Sequence, residues 1–115
     1  MKEFMFIFKG PYYEDLNFSA EAAQQQMQKW FQWIDQLKEQ GIYVEGRPLL
    51  KDGGKTVSGK DHLVTDGPFA ESKELVGGYM IIKAGNIKEA LAATKGFPDY
   101  EYDGSVEVRE VMPIG

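Results

Sequence analysis

Few side chains in this chain have chemistry to offer. His62 is the only histidine and there is no cysteine, which removes thiolate nucleophiles, disulfides and sulfur-ligated zinc together. His62 stands near Asp66 and Glu71, a set that could hold a metal through nitrogen and oxygen or relay a proton. A lone histidine in such a stretch is more often solvated or satisfied by a neighbour. No metal and no cofactor is therefore expected. Asp66 opens the segment Asp66-Gly67-Pro68-Phe69. There the carboxylate can accept backbone hydrogen bonds, the glycine admits a conformation closed to other residues, and the proline locks the next dihedral. Such a turn places a carboxylate accurately. Glu107 and Arg109 alternate with Val106 and Val108, so on a strand the charged pair shares one face. These residues are read as lining a polar cleft. Arg109 would bind an anionic or carbonyl group of a small ligand, Asp66 or Glu107 would move a proton, and Tyr79, His62 and Glu71 would complete the lining. The plainer reading of Glu107 and Arg109 is an ion pair at a subunit seam.

Other motifs dissolve on inspection. Gly54-Lys55-Thr56 resembles the end of a phosphate-binding loop, but Leu49 stands where that loop needs a glycine, and a strand rather than a helix follows. No Gly-x-Ser-x-Gly and no dinucleotide fingerprint occurs. Trp30, Phe31, Trp33 and Ile34 read as helix packing rather than a cofactor-stacking box, with Trp33 at the partly exposed edge. Tyr12 and Tyr13 follow Gly10-Pro11 on a loop after the first strand, where residues either overhang a cleft or anchor the loop.

The elements that must position these groups follow from periodicity. Phe4, Phe6 and Phe8 alternate with Met5 and Ile7, a strand with bulky apolar groups on both faces. Ala20 to Gln40 carries Ala20, Ala23, Met27, Trp30, Ile34 and Leu37 at helical spacing, with Ser19 as cap and Gly41 as stop. Ile42 to Leu50 reads as a strand turning through Asp52-Gly53 into a hairpin with Thr56 and Val57. More extended structure is expected over His62 to Thr65. Gly78 to Lys83 is a second strand apolar on both sides. Asn86 then caps a helix running to about Lys95, which Gly96 and Pro98 end, and Ser105 to Met112 forms the last strand.

This order is the ferredoxin-like α+β plan, βαββαβ plus a hairpin, with both helices on one side of the sheet. Two helices leave the other side bare, so a second copy of the sheet is the expected lid and a homodimer the expected assembly. At 115 residues, 43% hydrophobic and 27% charged, the chain has the make-up of one folded domain spanning 1–115. No apolar run approaches the ~20 residues of a membrane span. The start, Met1-Lys2-Glu3-Phe4, lacks the features of a signal peptide, so a cytoplasmic, membrane-free protein is expected. A net charge of -5 with scattered lysines argues against direct nucleic-acid binding.

Val64-Thr65-Asp66-Gly67-Pro68-Phe69-Ala70-Glu71-Ser72-Lys73-Glu74, then Gly77-Gly78-Tyr79, then Gly104-Ser105-Val106-Glu107-Val108-Arg109 resemble the YCII-related proteins, in the branch named for its Asp-Gly-Pro-Phe (DGPF) motif. The resemblance implies a dimeric α+β barrel of two ferredoxin-like subunits with a cleft near each sheet. Some members carry a histidine and aspartate pair proposed as acid and base, the histidine opening the first helix. This chain has Ala20, Glu21, Ala22 and Ala23 there, and Phe97-Pro98 where relatives often show His-Pro, so that pair does not carry over. Genes of the branch often neighbour those of alternative sigma factors, which implies a transcription-linked role and, by family association rather than demonstrated contact, such a factor as a candidate partner. Three readings result: a ligand-binding or regulatory dimer, an enzyme working through cleft carboxylates, and a sigma-factor partner. The first is preferred, because the chain lacks a histidine dyad, a metal-ligand cluster and an activated nucleophile.

Overall fold

The computed structural model describes residues 1–67 and 74–114. Glu71 and the Pro68-Phe69 half of the DGPF segment lie outside them. Strand β1 (Lys2–Lys9) leads to helix α1 (Ala20–Glu39) and strand β2 (Tyr43–Pro48). Strands β3 (Lys55–Ser58) and β4 (Leu63–Asp66) come next, followed by β5 (Val76–Ala84), helix α2 (Ile87–Ala93) and β6 (Ser105–Glu110). The main sheet has the order β2-β5-β1-β6, and each neighbouring pair is antiparallel. This is the expected ferredoxin-like α+β arrangement, with β3 and β4 as a separate hairpin.

The helices start where local chemistry says they should. Ser19 Oγ accepts from the Ala22 amide at 3.0 Å, and Asn86 Oδ1 accepts from the Glu89 amide at 2.9 Å, each satisfying one otherwise orphaned helix donor. Glu89 reaches back to the Gly85 amide at 2.7 Å. The hairpin differs from expectation. After Asp52-Gly53 the chain does not return along β2. Instead β3 pairs with β4, and the reversal is made by Gly59 and His62, both at positive φ. β2 keeps β5 as its partner at the edge of the main sheet, and the Asp-Gly turn redirects the chain toward the β3–β4 hairpin.

Register decides which groups meet. Phe4, Phe6 and Phe8 lie opposite Ile82, Met80 and Gly78 and alongside Val108 and Val106, all on the face that the helices cover. The three phenylalanines are therefore shielded within the single chain. Trp33 and Leu37 of α1, Ala90 of α2 and Phe97 close this core. The buried stripe of α1 is the expected one in part: Leu37 is buried and Trp30 and Ile34 pack against the core, but Gln26 and Trp33 are buried as well and Met27 is exposed, as is Phe31. Trp33 is 3% exposed, and its indole N–H donates to the Ala93 carbonyl at 3.0 Å. Tying α1 to the end of α2 in this way draws the ring inward.

The opposite face has no helix. Its centre is Met5, Ile7, Tyr79 and Ile81, all half-buried, flanked in register by Glu107 and Arg109 on one side and Glu45 and Arg47 on the other. No helix among the described residues is long and apolar enough to cross a membrane.

Candidate functional site

Gly46 and Gly78 sit on the helix-covered face of β2 and β5, in line with Met80 and Phe8. A Cβ at Gly78 would lie 2.8 Å from the Arg47 carbonyl, and one at Gly46 would lie 3.0 Å from the Tyr79 carbonyl. Neither position can carry a side chain without moving backbone, and the sheet is hollow there. The middle of α1, Met27 to Ile34, crosses above this hollow. The result is a cavity of about 390 Å³ walled by Phe8, Trp30, Phe31, Ile34 and Tyr43, with Tyr13 and Asp99 in its polar lining and Tyr12 beside Leu49 at its edge. A cavity of that size holds a small organic molecule, and its aromatic lining with a few polar groups is the usual make-up of such sites.

The polar end is a closed network. Asp99 Oδ1 accepts from the Tyr13 hydroxyl at 2.7 Å and from Gln26 Nε2 at 2.8 Å. The Trp30 indole N–H is shared between the Tyr13 oxygen, at 2.9 Å, and Asp99 Oδ2, at 3.1 Å. Gln26 also donates to the Pro98 carbonyl at 2.7 Å. Burial first, and then the bond to Asp99, push the Tyr13 phenol far above its ordinary range, so it remains a donor. Tyr12, raised mainly by burial, places its hydroxyl 3.1 Å from the Leu49 carbonyl and 3.3 Å from that of Val76. It straps the loop after β1 across the ends of β2 and β5.

The residues singled out in the sequence fall elsewhere. Glu107 and Arg109 do meet, at 3.8 Å, on the uncovered sheet face. Lys9 is the closer partner of Glu107, at 2.7 Å. Its hydrogen bond and charge hold the Glu107 carboxyl below the usual carboxylate range, the reverse of what a general acid requires. Asp66 pairs with Lys55 across the β3–β4 hairpin, its side chain 70% exposed, and His62 is exposed at the tip of that hairpin. None of these four residues borders the aromatic cavity; Tyr79 is in its lining where its carbonyl faces Gly46, but its side chain lies on the uncovered face with Ile7. Nothing in the local sequence pattern marks Asp99, Gln26 or Trp30 as site residues. The available signals were the tyrosine pair after Gly10-Pro11 and glycines set inside apolar strands.

Helices on one face of an antiparallel sheet, with an aromatic cavity between the layers, define a small ferredoxin-like α+β protein. The chain matches the YCII-related domain over residues 5–115 and belongs to that family. No curated protein matches it.

Proposed function

We propose that this YCII-related protein binds a small, largely apolar organic molecule in the cavity between α1 and the sheet, as a homodimer joined through its uncovered sheet faces. One observation carries the binding reading. Phe31 is 58% exposed on a helix whose core stripe lies elsewhere, yet it walls a cavity that two glycines keep empty. Large apolar groups standing at the mouth of an enclosed aromatic hollow mark ligand sites. Binding is favoured over turnover because the carboxylate at the cavity, Asp99, already accepts from Tyr13, Gln26 and Trp30, and a carboxylate so occupied is poorly placed to move a proton. The half-buried Met5, Ile7, Tyr79 and Ile81 supply an apolar centre for the dimer, with Lys9, Glu107 and Arg109 as its charged rim. The Asp66-Gly67-Pro68-Phe69 signature supports placing the chain in the DGPF branch.

A thermal-shift screen of one- and two-ring aromatic compounds, followed by calorimetry, tests the reading. Hits raise the melting temperature, and Phe31→Ala weakens their binding about tenfold while leaving the unliganded melting temperature nearly unchanged, since an exposed side chain adds little to stability. A screen without hits, or a Phe31→Ala protein that binds as well as the parent, defeats it. A monomer mass by light scattering at micromolar concentration defeats the dimer.

A further inference from the structure

Most of the polar side chains around the cavity already have partners. Asp99 accepts from Tyr13, Gln26 and Trp30, and the Tyr12 hydroxyl is bonded to the Leu49 and Val76 carbonyls. Tyr43 is different. It lies opposite Ile82, and Gly46, three residues on, lies opposite Met80. An irregularity between Tyr43 and Glu45 brings these two positions onto the same, helix-covered face. The Tyr43 hydroxyl reaches over Gly46, where a Cβ would come 3.2 Å from its oxygen, so it stands on the floor of the hollow. The side chain is packed against the core, yet its hydroxyl makes no hydrogen bond among the described residues. Among the same residues, no side-chain polar atom is sealed from solvent without a partner. The hydroxyl is therefore open, on a residue that walls the cavity. Lys38 of α1 sets its ammonium 5.3 Å from the centre of the Tyr43 ring. A cation beside a phenol draws density from the ring and makes the hydroxyl a better donor.

We propose that the ligand is a flat aromatic compound bearing a carbonyl oxygen, its rings among Trp30, Phe31 and Ile34 and its oxygen accepting from the Tyr43 hydroxyl over Gly46. The proposal rests on the cavity being a binding site and adds the polar group by which that site orients its ligand. A ligand that brings its own proton, as a hydroxyl or an ammonium, fits less well, because the carboxylate bordering the cavity is already occupied by three donors. A carbonyl brings only acceptor lone pairs and lies in the plane of the ring that carries it. Tyr43 then sets specificity. An apolar ligand of the same shape would strip water from the hydroxyl and leave it without an acceptor.

The test uses two probes of one shape, measured by calorimetry on the intact protein and on its Tyr43→Phe variant. They are 2-acetylnaphthalene and 2-isopropenylnaphthalene, in which a methylene group replaces the carbonyl oxygen. Comparing each probe with itself across the two proteins cancels its own hydration. The expected result is that Tyr43→Phe weakens acetylnaphthalene about three- to tenfold, while isopropenylnaphthalene binds as well as before or better. The unliganded melting temperature should hardly change, because the variant keeps the packed ring and loses only a hydroxyl without a protein partner. Equal losses for the two probes, no loss for the ketone, or a marked fall in that melting temperature overturns the role of Tyr43 and leaves the cavity reading standing. Failure of both probes to bind the parent protein overturns both.

Discussion

Replacing Gly96 with alanine lowers the melting temperature by roughly 10 to 15 °C, a loss of about 2–4 kcal/mol. A Cβ at Gly96 would lie 2.3 Å from Cδ1 and 2.7 Å from Nε1 of Trp33, well inside contact distance. A flexible neighbour would move aside at little cost, but Trp33 cannot. Its ring lies parallel to Phe6 with centroids 6.3 Å apart and meets Phe8, Trp30 and Phe97 edge-on. Its N–H is spent on the Ala93 carbonyl. Alanine therefore forces one of two losses: the indole shifts within a close-packed aromatic cluster, or the 3-10 turn Thr94–Gly96 moves off α1 and leaves a buried donor unpaired. Either is a large share of the 5–15 kcal/mol that holds an ordinary domain together. Denaturant melts of Gly96→Ala, Trp33→Phe and the double variant separate this from a generic loss at a helix end. The smaller ring should relieve part of the alanine penalty, giving a coupling of about 1 kcal/mol or more. A Gly96→Ala protein as stable as the parent would refute the packing assigned to Trp33.

The same glycine shows what could and could not be read in advance. In the sequence Gly96 is a helix stop, and the helix does end there, because capping and termination depend on residues a few positions apart. Ser19 and Asn86 were recognisable as caps for the same reason, and so were the alternating strands. What depends on distant partners was not. Asp52-Gly53 is a sound turn signal, yet which strand β3 joins was decided by β4 across the Gly59 to His62 reversal. Gln26 sits in a run of three glutamines indistinguishable by type. It alone of the three is buried, because Pro98 and Asp99, more than seventy positions away, take both its protons. The cavity was half visible. Tyr12 and Tyr13 follow Gly10-Pro11 on a loop from which residues can overhang a cleft, but the empty space beneath them comes from Gly46 and Gly78 lining up across two strands, a fact of register. The charged pair Glu107 and Arg109 drew attention because charge on a strand is conspicuous, and it lies on the other face.

Asp99→Ala, the second large effect, costs about 2–4 kcal/mol and reshapes the cavity as well. The carboxylate is the common acceptor for Tyr13, Gln26 and Trp30. Gln26 retains the Pro98 carbonyl, and Trp30 retains the Tyr13 oxygen, but the Tyr13 proton has no second acceptor among its bonds. Position 99 also sits tightly against Gly104, where a Cβ would lie 2.6 Å from the Asp99 carbonyl oxygen. The substitution empties a place whose surroundings cannot readily close. Asp99→Asn restores the shape and one acceptor oxygen, but its amide faces donors, so it should recover about half of the lost stability. A merely space-filling residue would not separate these two variants, and equal stability of the two would dismiss the network. Alkaline titration gives an independent readout. The folded-state pKa of Tyr13 is raised above the ordinary 10.0, so below pH 10 both folded and unfolded chains keep the proton and the network contributes fully. Above it, the unfolded chain ionises first and stability falls as pH rises. Tyr12 and Tyr102 are raised in the same direction, so Tyr13→Phe should flatten the slope of melting temperature against pH above 10 without abolishing it. An unchanged slope in Tyr13→Phe would mean that the phenol is not held by Asp99, and the polar end of the cavity would lose the rigidity that keeps Trp30 in place for a ligand.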